Sequence, residues 1–256
     1  MDATTDAAPT GSSHAAPGAI LAPMDVAEPL RAYGSKAERI YDALRLEFVH
    51  GAWPFGQTFT TYELAERFGV SRRPVMDAVQ RLQSDGFVEV IPQVGCRVVV
   101  PDERRLHDHL ELSMILEPPA ARMAAERATP ATVDRLERIH ERATPIVESG
   151  DGASYPPLNR EFHRAILEMA GNQRLAAIAA SAWDLREFFF HPYLHPGVTA
   201  VMPERHDDHA RILAAIRAGD ADAAESSMHA HLDPEFALEI VRAANLAAAA
   251  KGSTGT

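Results

Sequence analysis

The 256-residue chain is 46% hydrophobic and 24% charged, with 25 Lys and Arg against 36 Asp and Glu for a formal net charge of −11. That is an ordinary globular composition with room for one large domain or two modest ones, and no run approaches the ~20 apolar residues of a membrane span. A single cysteine, Cys96, excludes an intrachain disulfide framework and a multi-cysteine zinc cage.

Residues 1–34, rich in Ala, Pro, Gly, Ser and Thr and without a basic leader, read as a disordered tail, and a cytoplasmic location is expected. The acidic total argues against nucleic acid, whose binding draws on Lys and Arg at phosphates. The charge is uneven, however. Residues 35–101 hold eight basic and eight acidic side chains, so the whole deficit lies elsewhere. A neutral part joined to an acidic remainder suggests two domains.

Ala37, Ile40, Tyr41, Leu44 and Phe48 repeat at helical spacing, and Gly51 to Gly56 turns the chain. A short second helix points Leu64, Ala65 and Phe68 inward and ends at Gly69. Ser71 suits the N-cap of a third helix with Pro74 in its first turn and Val75, Val79 and Leu82 buried. Phe87–Ile91 and Arg97–Val100 read as two strands around the turn 92–96. Three helices with a tight glycine turn and a two-stranded wing are the layout of a winged helix-turn-helix. Arg72 and Arg73 oppose the dipole at the start of the third helix, but would suit phosphates or a guanine edge.

The stretch Tyr62-Glu-Leu-Ala-Glu-Arg-Phe-Gly-Val-Ser-Arg-Arg-Pro-Val75, continuing through Leu82 and Gly86-Phe87-Val88, resembles the GntR family of regulators. The resemblance covers residues 35–101. It implies that helix 71–85 enters the major groove, that the wing near Gly95 touches the minor groove, and that Arg72, Arg73 and Gly95 contact DNA. Family members usually carry Arg where this chain has Tyr62 and Met76, and often where it has Val94. Each change removes a charge-assisted contact, so an unusual operator or weaker binding is expected.

Residues 102–248 read as six or seven helices without strands, and 249–256 as a second disordered tail. Leu112, Ile115, Leu116, Ala120, Met123 and Ala124 form one stripe, with a kink expected at Pro118-Pro119. Val133, Leu136, Ile139 and His140 suggest the next helix. Three further helices carry a histidine each on an apolar face: His163, His209 and His231, with Asn159 one turn before His163. Neutral imidazoles are common ligands of first-row metals, and bundle interiors host metal sites. Phe188-Phe189-Phe190 could wall a ligand cavity, pack in a core or form a dimer surface.

This half resembles the all-helical FCD ligand-binding domain of the FadR-type branch of the same family, through Asn159-x-x-x-His163, His209, His231, Leu116-Glu117-Pro118 and Gly219-Asp220. The resemblance implies a divalent metal on Asn159, His163, His209 and His231: zinc foremost, then nickel, iron or manganese. It also implies a carboxylate-bearing small-molecule effector and a homodimer on an inverted-repeat double-stranded DNA operator. Two departures stand out. Asn159 replaces a frequent Asp, and Ser113 stands where many members place an Arg that pairs with the effector. Ser113, Arg160 and His206 are the expected pocket residues, with Arg122, Arg186 and Arg205 as other possible cationic partners.

The fold expected is thus mainly α, a winged helix-turn-helix followed by a helical bundle, and the function expected is a dimeric, ligand-responsive repressor without enzymatic activity. An interaction module that has lost DNA binding and a histidine-site metalloenzyme are the alternatives weighed.

Overall fold

The structure is a computed structural model that describes residues 34–233, apart from the side chains of 191–198. Residues 1–33 of the expected N-terminal tail, the expected tail 249–256, and residues 234–248 of the expected helical domain lie outside the described residues.

Helix α1 (Lys36–Val49) opens with a capping box in which Ser35 and Glu38 each accept a backbone N–H of the other. Ile40, Tyr41, Leu44 and Phe48 are buried, as their spacing predicts. Helix α2 (Thr61–Phe68) is capped the same way by Thr60 and Glu63 and ends at Gly69 with φ +62°. Helix α3 (Arg72–Ser84) starts after Ser71, whose side chain makes no capping hydrogen bond. The wing is β2 (Val88–Ile91) paired antiparallel with β3 (Gly95–Val98). A third strand, β1 (Thr58–Phe59), which the sequence reading does not contain, pairs with the other edge of β3 and gives the order β1-β3-β2. Its approach explains Gly95: at φ +130°, a Cβ there would stand 2.6 Å from the Phe59 carbonyl oxygen.

The second part is built on α4 (Glu103–Arg127), α5 (Pro130–Ser149), α6 (Tyr155–Met169), α7 (Gln173–Ala218) and α8 (Ala221–His231). Helix α4 runs unbroken through Pro118 and Pro119 and packs on α6, α7 and α8. The expected stripe on α4 holds at Ala120 and Ala124 and, partly buried, at Leu116 and Met123, but is corrected at Ile115. Its buried face is Leu106, His109, Leu110, Ser113, Glu117, Ala120, Ala121 and Ala124, whereas Ile115 is 67% exposed. His109 faces inward to the Ala182 carbonyl and Glu117 to His163 and Trp183, so hydrophobicity alone misplaces part of the face. Helix α7 is one 46-residue element, where the His209 segment had read as a separate helix.

The aromatic run lies in neither a ligand cavity nor the bundle core. Phe188, Phe189 and Phe190 of α7 belong to the hydrophobic core of the winged domain, with Phe48, Trp53, Phe59, Phe87 and Leu82. Phe188 lies 5.1 Å from Phe55, 5.3 Å from Phe87 and 5.9 Å from Phe48, centroid to centroid. Leu185 comes close enough to Gly86 that a Cβ there would lie 3.1 Å away. A polar tether reinforces this apolar dock. Asp184 of α7 binds Arg45 of α1 with one oxygen and Arg160 of α6 with the other, and Arg160 also reaches Glu187.

Phe188→Ala is expected to lower stability by about 3–5 kcal/mol, the usual effect of truncating a buried phenylalanine. Urea unfolding is the check, and a loss below about 1 kcal/mol would contradict this packing.

Candidate functional site

Three helices deliver one imidazole each to a single buried point. His163 (α6), His209 (α7) and His231 (α8) are 1%, 2% and 6% exposed. The Nε2 of His163 lies 3.1 Å from that of His231 and 3.3 Å from that of His209. The sequence places each ring by helical spacing on a face that is otherwise apolar: Phe162 and Ile166 on α6, Ile212 and Ile216 on α7, Ala224 and Met228 on α8. The Phe162 ring also stacks on His209 at 4.1 Å.

Two buried carboxylates orient the rings. Glu117 of α4 accepts from His163 Nδ1 at 2.6 Å and from Trp183 Nε1 at 3.1 Å. Asp208 accepts from His231 Nδ1 at 3.2 Å and is itself held by Arg205 and Arg211. Burial pushes the Glu117 carboxyl up, but the facing His163 outweighs this and holds it below its ordinary value. Burial lowers His231 to about 4, against the pull of Asp208, and burial together with neighbouring histidines pushes His209 well below its ordinary range.

The consequence is directional. A carboxylate that takes Nδ1–H leaves Nε2 as a lone pair, so the Nε2 atoms of His163 and His231 face each other as acceptors, with His209 Nε2 beside them. Nitrogens about 2.0–2.1 Å from a tetrahedral ion lie about 3.3–3.4 Å apart, close to the separations found. The donor set therefore fits a divalent metal. Asn159 is half-buried one helical turn before His163, on the same side of α6.

The other expected site residues are placed differently from one another. Ser113 is buried on α4, one turn before Glu117. His206 turns toward α5, stacks on His140 at 3.9 Å and bonds Thr144 Oγ1 at 3.2 Å. Arg160 is engaged by Asp184 and Glu187 in the interdomain tether. Arg122 is engaged by Asp222 and Glu225. Arg186 lies with its guanidinium over Trp183, 4.5 Å from the ring centroid, and its enclosed Nη1 has no hydrogen-bond partner. Glu117, Asp208 and Trp183 were missed as functional residues. The available signal was a carboxylate inside an apolar stripe at Glu117 and one beside a candidate ligand at Asp208. His229, two residues from His231, is exposed, as its spacing predicts.

On the winged domain, Arg72 and Arg73 are exposed at the start of α3. Arg72 Nη2 lies 3.4 Å from Thr61 Oγ1, and Arg73 pairs with Asp77 at 3.8 Å. Gly95 is half-buried at the base of the wing, whose turn 92–94 is exposed.

A winged helix-turn-helix docked on a helical domain is the architecture of a DNA-binding transcription regulator, and the comparisons with known proteins agree. Two family models match, "Bacterial regulatory proteins, gntR family" over residues 36–98 and "FCD domain" over residues 108–234. The chain belongs to the GntR family and carries an FCD domain. Among relatives, it is 26% identical to the HTH-type transcriptional repressor RspR of Escherichia coli K12, over 76% of this chain and 85% of that one. It is 28% identical to the Uxu operon regulator of Haemophilus influenzae, over 76% and 78%. The solved structure of E. coli McbR/YncC shares the fold, with a TM-score of 0.65 and 24% identity over 82% of this chain and 98% of that one. Among the described residues no helix is long and apolar enough to cross a membrane.

Glu117→Ala is expected to cost about 3 kcal/mol, because it strands the buried His163 Nδ1 and Trp183 Nε1 and leaves a hole. Glu117→Gln, which keeps one acceptor oxygen, is expected to cost less than half of that. Parallel denaturation of the two variants is the check, and equal losses would contradict the hydrogen-bonding role.

Proposed function

We propose that the protein is a cytoplasmic, homodimeric repressor of the FadR-type branch that binds an inverted-repeat operator and responds to a small effector in its helical domain. Arg72, Arg73 and Gly95 are its expected DNA contacts, at the start of the recognition helix and in the wing. The repressor assignment leans on RspR, described as a repressor. In the helical domain, His163, His209 and His231, with Asn159 as a fourth ligand, would hold a divalent metal, zinc foremost. The metal would supply a Lewis-acid anchor for an effector carboxylate. Arg186 is the cationic partner best suited to that carboxylate, since its enclosed Nη1 has no partner whereas Arg160 is already paired. Ser113 and His206 stand one turn from Glu117 and His209 respectively, at the proposed pocket edge.

One observation carries this reading. Trp183, bonded to Glu117 beside His163, adjoins Asp184, bonded to Arg45 of the winged domain. A change at the imidazole site is thus one residue from the contact that orients the DNA-binding domain. For a response, the effector must bind two arrangements of that contact with different affinity.

The test begins with full-length protein purified without a nickel column. About one divalent ion per chain is expected, and His163→Ala and His209→Ala are each expected to lose it. Selection from fragmented genomic DNA should enrich a short inverted repeat, and a screen of small carboxylic acids should find one that shifts operator affinity by about 5–150-fold. Arg186→Gln should keep operator binding and lose the shift. Metal-free wild type would remove the metal from the account, absence of an enriched sequence would remove the operator, and a carboxylate response retained by Arg186→Gln would remove the role of Arg186.

A further inference from the structure

The recognition surface has an apolar component that charge-based reading of DNA does not use. The outer face of α3 presents Arg72, Arg73, Met76, Asp77 and Gln80 to solvent. Met76 is 51% exposed, and Tyr62 at the start of α2 is 67% exposed. Tyr62 and Arg72 line one concave surface across the helix-turn-helix turn, together with Gly69 and Ser71. Met76 lies one turn beyond Arg72 and one turn before Gln80, so these three form a single ridge along the helix.

The charges on this ridge are few and partly compensated. Arg73 faces Asp77, and the acidic side chain would oppose an approaching phosphate. Counterion release by the cations of this ridge is sequence-independent, so it supplies almost no discrimination between sites. An unbranched thioether at the centre of the ridge leaves about half of its surface to solvent, at 51% exposure. In the major groove the one apolar feature that distinguishes a base pair is the C5-methyl group of thymine. A flexible methionine side chain packs well against such a group.

We propose that Met76 is a specificity-determining residue that reads the C5-methyl of thymine in each operator half-site, flanked by Arg72 toward a guanine edge and by Gln80 toward an adenine. This rests on the DNA-binding reading of the winged domain. Tyr62 borders the same surface and adds apolar area beside Arg72. The half-site is therefore expected to place an A·T pair at its centre, where an arginine at position 76 would favour guanine.

The experiment selects duplexes from a random-sequence pool with full-length protein. Each thymine of the selected duplex is then replaced in turn by uracil, which removes only the methyl group. One position per half-site is expected to lose affinity about fourfold, the worth of one buried methyl group. Met76→Ala, at an exposed position that folding tolerates, is expected to bind the thymine duplex about fourfold more weakly and to ignore the uracil replacement. Met76→Arg is expected to select guanine at that position and to steepen the salt dependence. The inference is overturned if every uracil replacement leaves binding within twofold, or if Met76→Ala keeps the wild-type dependence on the methyl. Failure to select any duplex overturns the DNA-binding reading itself, a separate and recognisable outcome.

Discussion

Helix α7 has to satisfy two cores at once, and the arrangement of the rest follows from that. Its segment 188–190 completes the aromatic core of the winged domain. Its Ile212, Leu213 and Ile216 complete the helical core. Just before the first of these segments, Trp183 touches the imidazole site and Asp184 touches α1. Each domain lacks part of its interior without this helix, so their relative placement is fixed by burial of aromatic area rather than by a flexible linker. Close-packed interiors shift between discrete arrangements, not continuously. A helix embedded in two of them is suited to carry a small change from one to the other.

The imidazole site is costly by design. Burying three histidines, Glu117 and Asp208 is unfavourable unless every polar group finds a partner. Nδ1 of His163 and of His231 find carboxylates, and Trp183 and Arg205 occupy further carboxylate positions. What this leaves is the Nε2 lone pairs of His163 and His231 turned toward one another, an arrangement that is unfavourable in an apolar interior without a shared proton or cation. The residues around the site thus select the protonation state that a metal ligand requires, before any metal is considered.

Much of this was legible in the amino-acid order. The helices of the winged domain showed in their apolar spacing and in Gly69, and the three histidines lay at core positions of three helical segments. What escaped has physical reasons. A two-residue strand such as β1 has no period to detect. On α4, Ser113 and Glu117 face inward while Ile115 faces out, and the partners that hold Glu117 inside, His163 and Trp183, lie far along the chain. No single apolar stripe runs the length of α7, since successive faces meet α4, the winged domain and the bundle, so it read as separate pieces. Arg160 reads from the sequence as a pocket residue, but its partners, Asp184 and Glu187, are more than twenty residues away in the chain. Pairings between distant residues are the information that a local pattern lacks.

Under the proposed function, the imidazole site and the DNA-binding domain are coupled through residues 183–190. Hydrogen exchange on the full chain, with and without added zinc, measures that coupling. Slowed exchange around His163, His209 and His231 is expected to be accompanied by slowed exchange in 183–190 and in α1, and Asp184→Asn to remove the change in α1 alone. Protection confined to the helices that carry the histidines, with α1 unchanged in the native protein, would contradict it.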